Sequence, residues 1–182
     1  MTDNEDRAKK TRFWSTQSRD SAPYDQLSEI GYNYCMSHLC AAVGLGQLLT
    51  LDERVSACRA HFDYYQKHLG GLPGIDFMPE PEGFFSTRWL TALTIDPAKF
   101  GKSREEIRLA LEAANIESRP VWKPMHMQPV FAHCRRRGGE VSESLFQNGL
   151  CLPGGSNRTT EELDQVISLI VSYFEGRFFS SS

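Results

Sequence analysis

The sequence predicts an α+β fold, a short sheet with helices packed on one face, and three observations predict it. Apolar residues recur at helical spacing in several separate runs, short alternating runs stand between them over residues 75–175, and turn residues mark each change of rhythm. Residues 1–10 read as a frayed, charged start. Thr11 to Ile30 is polar, with Pro23 and scattered Phe13, Trp14 and Tyr24, and reads as an extended arm that cannot bury its aromatics alone. From Ser37 the pattern turns helical through Leu39, Val43, Leu48 and Leu49. Gly44 and Gly46 cost this helix about 1 kcal/mol each in propensity, which suggests tight packing against something.

Thr50 and Glu53 have capping-box spacing, predicting a second helix start, with Val55, Cys58, Phe62, Tyr65 and Leu69 on one face and Gly70-Gly71 at its end. Ile75–Met78 is a short strand, and Arg88–Ile95 a better one, with Trp89, Thr91, Leu93 and Ile95 sharing a face. Ser103 and Glu106 form a second capping box before Ile107, Ala110, Leu111 and Ala114, with Asn115 as the stop. Ile116–Arg119 is another short strand. Val121–Gly139 has no long period, Val141–Asn148 reads as a short helix and Leu150–Leu152 as a strand. After a turn at residues 153–157, Thr159 and Glu162 cap a last helix striped by Leu163, Val166, Ile167, Ile170 and Phe174.

Composition bounds the function classes. At 182 residues with 40% hydrophobic and 24% charged residues, the chain reads as a soluble globular protein. A net charge of −3 argues against a general nucleic-acid binder, and Arg135-Arg136-Arg137 reads as a solvated loop. No apolar run approaches the roughly 18 residues of a membrane span, and the charged residues 1–10 are no secretory signal. A cytoplasmic protein with reduced thiols is therefore expected, since its five cysteines include no CxxC pair. No zinc site is expected, His133-Cys134 being the only adjacent ligand pair.

Three segments carry candidate chemistry. Trp122-Lys123-Pro124-Met125-His126 sets an amine and an imidazole in a loop held by prolines. Gly31-Tyr32-Asn33-Tyr34 precedes a helix start, where backbone amides can bind an anion such as phosphate. Leu152–Asn157 could cradle an anion too. Each also has a plainer account: a surface loop with a capped histidine, a turn leading into a helix, and ordinary Pro-Gly-Gly turn chemistry. On residue types and spacing alone, the reading stops at a soluble α+β domain.

The order of several segments goes further. Arg12–Gln17, Ser28–Tyr34, Met36-Ser37 with the small-residue helix to Leu48, Leu51–Arg54, Ser118–Pro120, Trp122–His126, Gln128–Phe131 and Gly149–Pro153 together resemble the DegT/StrS-type nucleotide-sugar aminotransferases, which are fold type I pyridoxal-phosphate (PLP) enzymes. The resemblance implies a small C-terminal α+β domain of that fold, with a short, mostly antiparallel sheet. On it, 1–34 is an arm left from the end of the large PLP domain, 35–70 are interface helices, 71–176 is the small domain and 177–182 a disordered tail. It implies transamination from glutamate, through PLP, to a UDP-4-keto-6-deoxy (amino) sugar for polysaccharide or glycan synthesis.

The family's dimers share active sites, so Asn33, with Tyr32, is expected at the PLP phosphate of a partner subunit. Trp122, Lys123 and His126 are expected at the nucleotide-sugar substrate, and no metal, nucleic acid or membrane is expected. Cys35 stands where the family usually carries an arginine. The family's Ser-x-x-x-Lys segment is missing, and none of Lys9, Lys10, Lys67, Lys99, Lys102 and Lys123 has its context. The resemblance thus predicts no catalytic residue here and no activity for the chain alone. Its partners would be a second copy, or an N-terminal or full-length aminotransferase chain; the alternative is a non-catalytic binding or assembly module.

Overall fold

The structure is a computed structural model that describes residues 2–179, and side chains through residue 174. The chain divides into two compact units, Met1–Thr50 and Leu51–Ser182. The first begins with a helix, α1 (Glu5–Ser15), where an extended arm was expected. Local chemistry makes it: the Asn4 side chain accepts from the Arg7 amide, and Glu5 and Asp6 sit at the positive end of the helix dipole. No residue of α1 is buried. The following segment doubles back, with antiparallel bridges Thr16–Asn33 and Arg19–Leu27. The arm's aromatics find polar company: Lys10 lies 5.2 Å over the Trp14 ring, and Trp14 Nε1 donates to Glu29. Helix α2 (His38–Leu49) starts at an N-cap formed by Ser37 and has no buried residue.

The second unit holds the sheet. Helix α3 (Leu51–Leu69) buries Phe62, Tyr65 and Leu69, three of the five residues expected on its inner face; Val55 and Cys58 are half-buried. Strands β1 (Ile75–Phe77), β2 (Thr91–Ile95), β3 (Arg119–Pro120) and β4 (Gly149–Leu152) form one sheet in the order β1-β2-β4-β3. Every pair is antiparallel. The Leu93–Leu150 and Thr91–Leu152 registers put Thr91, Leu93, Leu150 and Leu152 on one face. That face meets α3, α5 (Arg104–Ala113) and α7 (Thr160–Phe179) in a core of Tyr65, Leu69, Ile107, Leu111, Val166 and Ile170. Each such side chain contributes roughly 1.5–3 kcal/mol of burial.

Several boundaries moved. β2 begins at Thr91 because Arg88 takes a left-handed φ of 52°, which no continuing strand can hold. Trp89 is therefore exposed, against the expectation from alternation. Short α4 (Pro97–Phe100) was not anticipated; Asp96 caps it and Pro97 occupies its first turn. β3 sits at residues 119–120 and not 116–119, because Asn115 stops α5 at φ 58° and Ile116 turns in to bond Leu111. Helix α6 is Glu140–Asn148. α7 reaches Phe179, three residues into the stretch expected as a disordered tail, and residues 180–182 of that tail lie outside the described residues. Among the described residues no helix is long and apolar enough to cross a membrane, and no cluster of metal-ligating side chains occurs.

Candidate functional site

In the first unit, Gly31-Tyr32-Asn33-Tyr34 runs beside the end of α1. The Tyr32 amide donates to Trp14 O at 2.8 Å and the Tyr34 amide to Ser15 O at 3.0 Å. Only glycine fits at 31, because a Cβ there would stand 2.5 Å from Ser18 N and 2.6 Å from Gln17 C. Both those neighbours hold left-handed φ values, 53° and 69°. The close approach fixes Asn33, whose Oδ1 accepts from the Cys35 amide at 3.2 Å, an Asx turn leading toward Ser37. With Oδ1 so engaged, the Nδ2 donors of this exposed residue remain for an anion. Tyr32 and Tyr34 are exposed, their ring centres 5.9 Å apart. The Cys35 thiol points at Ser15 O, 3.8 Å away, and supplies no cation.

In the second unit, residues 118–126 leave the sheet edge at β3. The Val121 amide still donates to Gly149 O at 3.1 Å, so the ladder extends one residue past β3. Trp122 and Lys123 then face solvent, and Trp122 lies 6.0 Å from Trp89, ring centre to ring centre. Lys123 makes no ion pair among the described residues. His126 opens differently: it is half-buried, and its Nε2 lies 2.9 Å from Glu143 Oε1 on α6. Arg136 pairs with the same oxygen. Hydrogen bonds from these two side chains, His126 first, hold the Glu143 carboxyl below its ordinary range. An ionised carboxylate can only accept, so the proton of this bond sits on His126 Nε2. The imidazole lies against Gly139, whose missing Cβ makes room; a Cβ would come 2.9 Å from Cε1.

The structure thus brings Trp122 and His126 onto one short segment but gives them different surroundings. Glu143, Arg136, Gly139 and Trp89 were not foreseen; Glu143 lies 17 residues from His126 and has no local signal. Arg136 belongs to the run expected to be wholly solvated. The third candidate, 152–157, is tied down by α3, with Tyr65 OH donating to Pro153 O and Arg54 to the Ser156 hydroxyl. Below it a cavity of about 470 Å³ opens between Ser118, Arg119, Trp122, Pro153 and Arg158.

A second charged cluster stabilises the approach to β2. Arg59 forms a two-pronged pair with Glu80, both bonds at 2.9 Å, and the Ser86 amide also donates to Glu80. Together these lower the Glu80 carboxyl to about 2.

Comparisons with known proteins place the chain. The sequence profile of the DegT/DnrJ/EryC1/StrS aminotransferase family matches residues 1–171. A Bacillus subtilis (strain 168) protein named as a pyridoxal phosphate-dependent aminotransferase, EpsN, is 43% identical over 178 residues, 96% of this chain and 45% of that protein. The GDP-perosamine synthase of Vibrio cholerae is 32% identical over 146 residues, 80% of this chain and 39% of its own. The chain therefore spans less than half the length of these relatives. Among solved structures, the aminotransferase TlmJ of Streptoalloteichus hindustanus superposes with a TM-score of 0.79 at 17% identity, over 97% of this chain and 47% of that one, which bears on fold alone. On the profile match and the identity to EpsN, the chain belongs to the DegT/DnrJ/EryC1/StrS aminotransferase family.

Proposed function

We propose that this chain is the C-terminal part of a PLP-dependent aminotransferase that moves an amino group from glutamate to a UDP-4-keto-6-deoxy (amino) sugar during polysaccharide synthesis. The observation that carries it is family membership across residues 1–171, with sugar aminotransferases among the relatives. PLP, when bound, would supply the electron sink for transamination. The residues here fit an accessory role toward it: Asn33 keeps amide donors free for its phosphate, and Tyr32 lies exposed beside them. None fits the role of its lysine. Lys9, Lys10, Lys99 and Lys102 pair with Glu5, Glu29, Asp96 and Glu106, and Lys67 and Lys123 are exposed, where nothing desolvates the amine.

Trp122 and Lys123 present a ring and a cation to the nucleotide sugar. His126, oriented by Glu143, adds a polar group whose Nδ1 remains available. The chain would act by pairing with a second copy or with a chain carrying the large PLP domain, and would not transaminate alone. The exposed apolar residues of α2, among them Leu39, Val43 and Leu48, also favour a second reading in which it is a non-catalytic assembly module.

One experiment separates these. The pure chain is incubated with PLP, reduced with borohydride and mapped, and it is then co-expressed with a full-length relative and assayed with glutamate and a UDP-4-keto sugar. Expected are no reduced adduct on the chain alone and recovery of amino transfer in the complex. An adduct on one of its lysines would overturn the claim that the chain lacks a cofactor lysine. A stable complex without amino transfer would leave the assembly module.

A further inference from the structure

The turn into β2 is built to expose a tryptophan. Arg88 is buried in left-handed backbone, its guanidinium 3.9 Å over the Phe62 ring and its Nη1 donating to Met78 O at 2.7 Å. Both contacts pull Arg88 inward, so the next residue must turn out. Trp89 is consequently 64% exposed and Trp122, beside it, 66% exposed. Their rings stand at 44° with centres 6.0 Å apart, an aromatic corner in contact with water. The Arg88 contacts account for the turn but not for the exposed pair of rings it leaves side by side, and that pair points to a ligand.

The cavity beside Trp122 indicates which ligand. Its volume, about 470 Å³, lies within the range of small-molecule sites. Pro120 and Pro153 line it together with Arg119, Arg158 and the carboxylate Glu117. Arg119 pairs with Glu117 through Nε and Nη2, and Arg158 with Glu162 through Nη1, so each keeps N–H donors for an anion. The Ser118 hydroxyl, also on the wall, is shielded and has no hydrogen-bond partner. Trp122 lines this cavity with the two arginines and Trp89 stands beside Trp122, an arrangement that matches a planar ring carrying a polyanion.

We propose that Trp89 and Trp122 form the stacking platform for the base of a nucleoside diphosphate, with Arg119 and Arg158 receiving its phosphates and Trp89 setting how tightly the base is held. The proposal rests on the nucleotide-sugar reading above and adds to it a residue, Trp89, and a direction for the ligand from tryptophan to arginine.

The full chain is titrated by calorimetry with UDP, uridine and inorganic pyrophosphate, using wild type, Trp89→Ala, Trp89→Phe and Arg158→Ala. Trp89→Ala should weaken UDP and uridine by at least ~10-fold, the scale of a lost base stack. Trp89→Phe should restore most of that loss, and pyrophosphate should be indifferent to both. Arg158→Ala should weaken UDP and pyrophosphate but not uridine. Since Trp89 is solvent-facing, unchanged thermal midpoints confirm that the variants fold. UDP binding indifferent to Trp89 overturns the platform yet leaves the nucleotide-sugar reading standing. Failure of UDP to bind the chain, alone or in the transaminating complex, overturns the platform; amino transfer in that complex still reports separately on the enzyme reading.

Discussion

Replacing Gly31 by alanine should open the first unit locally while leaving the second intact. The new Cβ would stand 2.2 Å from Ser18 Oγ, 2.5 Å from Ser18 N and 2.6 Å from Gln17 C. The hydroxyl can rotate aside. The backbone cannot, because the Ser18 amide is bonded to Phe13 O at 2.9 Å and the Gln17 amide to Tyr32 O at 3.2 Å. Residues 31–34 must withdraw instead, and three bonds go with them: Tyr32 to Trp14, Tyr34 to Ser15 and Gln17 to Tyr32. At a net ~0.5–1.5 kcal/mol each, the loss is about 1.5–4.5 kcal/mol. Amide hydrogen exchange reads this directly, since ~1.4 kcal/mol is a factor of ten. Protection at Tyr32 and Tyr34 should fall roughly tenfold to a thousandfold, with amides of β2 and β4 unchanged. Unaltered protection at Tyr32 and Tyr34 in a folded Gly31→Ala chain would refute the close-approach account of this motif, and with it the positioning of Asn33.

Other substitutions probe the rest of the molecule. Gly44→Ala places its Cβ in open space, so the chain alone should gain about 1 kcal/mol in the helicity of α2 by circular dichroism melting; if α2 docks closely on a partner, the same change should weaken that complex by sedimentation. Leu150→Ala, at a fully buried site, should cost ~2–5 kcal/mol in urea unfolding. Acid should weaken the fold through Glu80 and Glu106, both lowered to about 2, by Arg59 and by the Ser103 cap respectively. Because the folded values lie below the unfolded ~4.3, this stability is full above the unfolded value and is lost as pH falls through that window toward the folded value of about 2. Glu80→Gln should flatten part of that slope, and a urea midpoint constant through the window would contradict the pairing. Gly139→Ala, forced to φ 120° with its Cβ against His126, should lower the thermal midpoint and release the His126–Glu143 bond, visible in the His126 ring resonances.

How much of this was legible in the sequence follows from which interactions are local. Capping boxes are local, and two of three form: Ser103 with Glu106, and Thr159 with Glu162. The third fails because α2 runs up to Leu49, so Thr50 closes that helix, its hydroxyl bonding Gln47 O. Core-facing helix stripes were legible because burial imposes a period; α1 was not, because it buries nothing and leaves no period to read. Alternation assigns a side chain's parity but is blind to φ, so it buried Trp89 where Arg88 in fact reverses the backbone. At the site, Trp122, Lys123 and His126 could be named from one segment. Glu143 and Gly139 could not, since only the path of residues 127–139 brings them to the imidazole.

That difference bears on how the segment can work. Residues 121–126 are held at two points, by the Val121–Gly149 ladder bond and by the His126–Glu143 pair. Pro124 stiffens the span between them. Trp122 and Lys123 lie inside this span, exposed yet with little backbone freedom, so a ligand meeting them forfeits less ordering entropy than one meeting a free loop. The anchors differ in kind: one belongs to the sheet and shares its stability, the other is a side-chain hydrogen bond to Glu143 on α6, which Arg136 also engages. Changes at Glu143 or Arg136 should therefore alter the order of Trp122 and Lys123, whereas changes at Gly149 should act through the fold. The segment 121–126 is thus tunable from one end only, the end that carries histidine.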